Sequence, residues 1–221
     1  MICSWPCPSP SGVDEAYGFG FRRGRDRVVL VVPALFEEAN RMRRMLVEAL
    51  RRLDSAGIDA VLVDLPGCNE STQSFTAQSL ETWRAAMVAA AAHFGATHVL
   101  AVRGGALVAP PLPGWALDPP SGASQLRQLL RVRTLAAREA GRSETAAGLL
   151  EQGRRDGLDL AGYRCSAALI AGLEAAVAAD EGWTRITAAD LGGNPLWLRA
   201  EPDDAPEQSE ALARILAGPA S

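Results

Sequence analysis

The chain has 221 residues, 48% of them hydrophobic and 22% charged, with a net charge of −4; this is the profile of a globular unit long enough to bury a full core. The acidic balance excludes bulk nucleic-acid binding, which needs a basic excess to displace counterions from phosphates. No apolar run approaches the roughly 18–20 residues of a membrane span, and residues 1–12 lack the basic and apolar regions of a secretory leader. A cytoplasmic protein is expected. All 22 basic residues are arginine, which alongside the abundance of alanine reflects a GC-rich coding bias. Cys3, Cys7, Cys68 and Cys165 are expected as free thiols: Cys3 and Cys7 have no histidine near them, so neither a metal nor a cofactor is called for.

Residues 17–23 and 27–33 read as two strands around the turn Gly24-Arg25-Asp26, the second an unbroken apolar run suited to burial on both faces. After the loop 34–41, Met42, Met45, Leu46, Ala49, Leu50 and Leu53 recur at helical spacing up to Gly57, with Asn40 and Arg41 expected to cap and begin that helix. Residues 58–64 form the next strand, closed by Leu65-Pro66-Gly67 and followed by the polar loop 68–74. Leu80, Trp83, Met87, Ala91 and Phe94 share one face of a second helix, capped by Ser79 and stopped by Gly95. Residues 98–102 are again strand-like. Strand, helix, strand, helix, strand at this spacing predicts an α/β fold with a mainly parallel sheet, right-handed crossovers and helices on both faces.

The third of these strands runs into a glycine pair. Ala101 to Gly105 fill the five positions of the pattern Gly-x-Ser-x-Gly, the sharp turn that presents a nucleophilic serine, with Arg103 where the serine belongs. A guanidinium stays protonated and has no lone pair with which to attack. Only Ala106, Leu107, Val108 and Ala109 precede Pro110, Pro111 and Pro113, which leaves about one helical turn where amides and a helix dipole would stabilise an oxyanion. Residues 115–118 suit a further strand. Residues 121–180 read as wholly helical: a helix around 125–139 with Leu126, Leu129 and Leu130, one around 144–155 capped by Ser143, and one around 167–179 capped by Ser166. Three helices between strands predict a cap or lid. A last strand is expected at 194–200 and a helix at 207–216, dividing the chain into core (1–118), cap (119–182) and core again (183–221).

Residues 33–44 (PALFEEANRMRR), 64–71 (DLPGCNES), 103–107 (RGGAL), 125–133 (QLRQLLRVR), Glu144-Thr145 and Ala161-Gly162-Tyr163 with Ser166 together resemble the α/β-hydrolase-fold proteins called exosortase A system-associated hydrolase, the second type. The resemblance rests on the order and spacing of these motifs over roughly residues 28–205. It implies an α/β-hydrolase fold, an association with bacterial exosortase and exopolysaccharide gene clusters, and arginine as the family's own elbow residue. Two departures stand out: the short helix after the elbow, and a chain that ends before the strand and loop expected to deliver a triad histidine. His93 and His98 both precede the elbow, against the order nucleophile, acid, histidine.

Arg103, with Gly104, suits an anion-binding group at the carboxyl edge of the sheet, where ligands of open α/β sheets collect; the competing reading is an internal ion pair with Glu37, Glu38 or Asp64. By the resemblance, Leu35, Phe36, Glu37 and Glu38 form the oxyanion region, where two carboxylates would repel a developing oxyanion. Ser71 and Cys68 are the weak catalytic candidates: Ser71 suits a hydrogen-bonded turn, and Cys68 lacks a histidine to activate it. Asp203 and Asp204 stand where a triad acid could sit, with nothing to orient. Arg127, Arg131 and Arg138 share a helix face and, with Arg133 and Arg142, would meet solvent or an acidic partner. Two functions follow. One is a binding or partner protein without a working Ser-His-Asp triad, taking a small anionic or acyl ligand; the other is a hydrolase of an acyl ester or related bond with an unorthodox nucleophile. A homodimer through an exposed edge at residues 196–200, with Trp197, or through the neighbouring helices is a further expectation.

Overall fold

The computed structural model describes residues 1–178, 182–199 and 204–218. Its strands are β1 (Ile2–Ser9), β2 (Gly12–Phe21), β3 (Val28–Val32), β4 (Asp59–Val63), β5 (His98–Val102), β6 (Gly114–Leu117), β7 (Leu158–Leu160), β8 (Tyr163–Cys165) and β9 (Trp183–Ile186). Seven make one sheet in the order β1-β2-β4-β3-β5-β6-β9. The run β4-β3-β5-β6-β9 is parallel, and β2 joins it antiparallel to β4. Strands β3 and β4 are buried at every position, as their unbroken apolar sequences require. Although β2 and β3 are consecutive, they do not pair; β3 lies between β4 and β5.

Alternation along β3 divides two cores. Val29 and Val31 face α1 (Glu37–Ser55) and the helix Pro206–Ala217, packing with Met42, Leu46, Leu50, Leu212 and Leu216. Leu30 and Val32 face α2 (Leu80–Phe94), packing with Trp83, Met87 and Phe94. The second helix begins on a reciprocal Ser79–Thr82 capping box and ends at Gly95, whose φ of 62° is the left-handed cap conformation.

Between β6 and β9 the chain leaves the sheet as α3 (Gly122–Glu139), α4 (Ala146–Asp156), the β7–β8 hairpin and α5 (Ala167–Ala175). The hairpin corrects the expectation of a wholly helical segment. Gly157, Ala161 and Gly162 all have positive φ (73°, 48° and 87°), which ends α4 and closes a two-residue turn between short alternating strands. The cap of α4 is Thr145, whose side chain accepts from the Gly148 amide at 3.2 Å, not Ser143. Ser166 caps α5 as expected, accepting from Leu169 N at 3.0 Å, but that helix stops at Ala175, where Ala176 turns extended; residue 179 lies outside the described residues.

Two further corrections concern the ends of the described chain. Residues 2–9 form the edge strand β1, for which periodicity offered no sign because Pro6 and Pro8 interrupt it; prolines are tolerated here since β1 pairs on one side only, with β2. Trp5 and Cys7 are its buried positions. The strand expected at 194–200 is instead a 3₁₀ turn, Leu196–Leu198, with residue 200 outside the described residues. Gly192 and Gly193 (φ 73° and 69°) redirect the chain before Pro195, and the strand that pairs with β6 is β9, from Gly114↔Trp183 to Leu117↔Ile186. Trp197 is 6% exposed, so the open edge on which a dimer was expected does not exist there.

Candidate functional site

At the carboxyl end of β5 the backbone turns sharply. Arg103 has a φ of 51° and starts the 3₁₀ turn Arg103–Leu107, a strained conformation for a side chain of its size. Both glycines behind it are required: a Cβ on Gly104 would collide with the Gln125 side-chain amide and with Leu35, and one on Gly105 with the Pro33 carbonyl. The guanidinium meets Glu38 along one edge, with Nε to Oε2 at 3.2 Å and Nη2 to Oε1 at 3.3 Å. Its Nη1 donates to the Asp118 carbonyl, and its Cζ lies 4.6 Å from the centre of the Trp197 ring. The side chains are 14% and 6% exposed, so this is a largely desolvated pair. Of the three carboxylates expected to compete for Arg103, Glu38 holds it; Glu37 is exposed, and Asp64 binds Arg43 at 2.7 Å.

Glu38 reaches Arg103 because α1 begins earlier than its apolar spacing suggests. Phe36, with φ 58° and ψ −143°, is the cap, so Glu37 and Glu38 fall in the first turn, where the helix dipole favours them. Asn40 and Arg41 therefore do not start the helix. Arg41 donates to the Trp197 carbonyl at 3.0 Å, tying α1 to the chain after β9. Above the elbow, Gln125 from α3 and Leu35 occupy the space next to Gly104, and the Gln125 amide oxygen is buried without a hydrogen-bond partner among the described residues.

The other sequence candidates are dispersed. Ser71 Oγ accepts from the amides of Gly67 (2.9 Å) and Gln73 (3.3 Å), the contacts of a turn residue. Burial, with Asp64 adding to it, pushes the Cys68 thiol up to about 12. His98 stacks on Trp115 at 5.7 Å and bonds Thr97 at 2.8 Å at the amino end of β5, away from Arg103; His93 lies on α2 beside Phe94. Asp204 pairs with Arg44 at 2.9 Å, and Asp203 lies outside the described residues. Arg127, Arg131 and Arg138 are exposed. Arg133 grips Glu144 at 2.7 and 3.0 Å, holding that carboxyl below its ordinary range, and Arg142 approaches it at 4.0 Å.

What the sequence does not signal is a cavity of about 430 Å³ over the ends of β3 and β4, beneath the β7–β8 hairpin. Its floor is Pro33, Leu46, Leu62 and Leu65. Phe36, Phe75, Trp83 and Tyr163 wall it, with Phe36 and Phe75 each 5.3 Å from the Tyr163 ring and about 6 Å from Trp83. Asn40, Arg43, Asn69 and Arg164 provide the polar lining, and Cys68 also borders it. None of residues 103–107 does. Trp83 is pinned by its Nε1, which donates to the Pro66 carbonyl at 2.9 Å. Tyr163 has its hydroxyl pushed up to about 12, by burial first and then by Glu37.

No protein-family profile and no curated protein matches the chain. Among solved structures, a hypothetical protein of Pseudomonas aeruginosa PAO1 is similar at 15% identity and a TM-score of 0.50, over 98% of this chain and 96% of that one. An α/β serine hydrolase without lid from Xanthomonas campestris is similar at 17% identity and a TM-score of 0.41, over 55% and 63% of the two chains. The fold, a mainly parallel sheet flanked by helices, thus has α/β hydrolases among its structural neighbours. A thermophilic esterase from Thermogutta terrifontis is similar at 16% identity and a TM-score of 0.43, over 71% of this chain and 54% of that one. The chain thus spans under two thirds of the length of these two enzymes. Arg103 follows β5, Leu35 and Phe36 follow β3, and α3 to α5 with their hairpin lie between β6 and β9.

Proposed function

We propose that the chain is a non-catalytic protein of the α/β-hydrolase fold, of the kind associated with bacterial exosortase and exopolysaccharide systems, that binds a small anionic or acyl ligand or a partner in the cytoplasm. The observation that carries this reading is the Arg103–Glu38 pair: the elbow position is filled by a cation already satisfied by a buried carboxylate, a carbonyl and an aromatic face. Acyl transfer needs a nucleophile at that point and an empty volume for the tetrahedral oxyanion beside the amide that follows it. Here Gln125 and Leu35 crowd the Cα of Gly104, the residue whose amide would have to serve it. The replacement nucleophiles are poorly served, since Ser71 Oγ is engaged by two amides and the Cys68 thiol is driven towards its protonated form.

The test is labelling of the purified protein with a fluorophosphonate probe, read by intact mass, alongside turnover of short and medium p-nitrophenyl esters. Neither label nor turnover is expected. An Arg103→Ser variant is expected to stay inactive, because Gln125 still lies on the elbow and Glu38 is left unpaired. Stoichiometric labelling of the native chain together with ester turnover would overturn the reading and direct peptide mapping to Ser71.

A further inference from the structure

We infer that the cavity over β3 and β4 is a binding site for an organic carboxylate: an apolar tail packs among Phe36, Phe75, Trp83 and Tyr163, and the carboxylate meets Arg43. The assignment deepens the binding reading above and rests on it for one point, that the ligand leaves chemically unchanged.

Charge on the cavity lining is one-sided, with Glu37 outside the lining but near enough to act on the Tyr163 hydroxyl. Both ionic side chains that line the cavity are arginines, and no carboxylate does. Their counter-ions lie behind them: Asp64, whose side chain is 5% exposed, takes Arg43 Nη1 at 2.7 Å, and Asp159 takes Arg164 Nη1 at 2.8 Å. Asp64 also accepts from Asn69 Nδ2 at 2.6 Å, so the carboxylate that orients Arg43 is itself held. Among the described residues, Arg43 uses only Nη1; its Nε and Nη2, the edge that binds a carboxylate through two parallel hydrogen bonds, have no protein partner. The Arg43 side chain is 39% exposed, which leaves that edge accessible. An arginine anchored at one end and open at the other is pre-organised, so little side-chain entropy is lost when an anion arrives.

The rest of the lining selects the tail. Leu46, Leu62, Leu65 and the aromatic walls are apolar, and the rings meet edge to face rather than leaving a flat slot. The Tyr163 hydroxyl and the Asn40 amide, neither with a hydrogen bond to the described residues, supply neutral polar contacts near the mouth. A bare phosphate would leave the apolar wall uncovered, and a neutral hydrocarbon would leave the arginine edge unmatched. A carboxylate with a medium acyl or aryl tail satisfies both.

The decisive measurement compares acid with amide on the native protein by isothermal titration calorimetry: octanoate against octanamide, and hydrocinnamate against its amide. A preference of at least about tenfold for the acid is expected in one or both pairs, the discrimination that a charged hydrogen bond supplies. An Arg43→Gln variant is expected to erase the preference, and an Ala39→Phe variant, which fills the cavity, to abolish binding. Equal affinity for acid and amide, or no binding of either acid, overturns the assignment. The native acid–amide comparison stands by itself if either variant fails to fold. Hydrolysis of p-nitrophenyl octanoate with octanoate as competitor would overturn the non-catalytic reading and leave the carboxylate assignment intact, whereas absent turnover with absent acid binding would do the reverse.

Discussion

Above β5 the carboxyl edge of the sheet is closed. Arg103 is held by Glu38, the Asp118 carbonyl and Trp197, and Gln125 covers the glycine behind it. Above β3 and β4 the same edge is open, with a cavity of about 430 Å³ whose arginine keeps one face unpaired. Both places use an arginine and a buried carboxylate, yet the geometry differs in one respect. Glu38 takes the Nε–Nη2 edge of Arg103 and the Asp118 carbonyl takes Nη1, so every nitrogen is engaged, while Asp64 takes one nitrogen of Arg43 and leaves an edge. A buried ion pair can therefore seal a site or aim one, according to how many of the five guanidinium donors it consumes.

The sharpest way to break this contrast is at the closed end. Glu38→Ala strands a largely buried guanidinium and is expected to cost about 3–5 kcal/mol in chemical denaturation, whereas the double change Glu38→Leu with Arg103→Met should be close to neutral. A loss well under 1 kcal/mol for the single change would show that the pair does not seal the elbow. At the open end, Trp83→Phe leaves the buried Pro66 carbonyl without its donor, with an expected loss of about 1–3 kcal/mol, and should loosen the cavity wall while leaving Arg103 in place. The segment between β6 and β9, whose hairpin borders the cavity, is tested by Thr145→Ala, expected to cost about 1 kcal/mol, against a near-silent Ser143→Ala. The reverse ranking would move the start of α4 back to the position that sequence suggested.

The smallest effect is a control at the far end of the sheet. Arg23, and then Arg25, hold the Asp54 carboxyl down at about 2, below its ordinary value of 3.8. A carboxyl depressed in the folded state stabilises the fold above its ordinary value, and that contribution is lost as pH falls from about 4 to about 2. Denaturation midpoints of the native chain and Asp54→Asn should differ above pH 4 and converge towards pH 2. Carboxylate binding at neutral pH should be the same in both. A midpoint difference that persisted at pH 2 would contradict the depressed carboxyl.

Much of the fold was legible because it is local. Met42, Met45, Leu46, Ala49, Leu50 and Leu53 name the buried face of α1 by spacing alone, and all six are buried. Ser79 and Gly95 bound α2 because capping chemistry acts within one turn. The arginine ahead of the glycine pair is legible in the sequence, which offers three nearby carboxylates, of which Glu38 holds it. Other features were hidden for identifiable reasons. The start of α1 is set by Phe36 in a backbone conformation that no residue type announces. Strand β1 is masked by prolines that only an edge position permits. Trp197, which local pattern assigns to an exposed strand, lies in a 3₁₀ turn against the Arg103 guanidinium.

The sequence by itself determined the alternation of strands and helices, the parallel sheet, a long excursion before the last sheet strand and an arginine at the glycine-rich turn after β5. Each follows from periodicity, turn chemistry or residue type within a short window. Only the tertiary structure decided which carboxylate holds Arg103, which segment forms the last sheet strand, and where the edge stays open. Phe36, Phe75, Trp83 and Tyr163 come from four separate segments, and their convergence depends on the strand order and on where the β7–β8 hairpin lands. Contacts between distant segments carry no local pattern, so a cavity built from them appears only once the chain is packed.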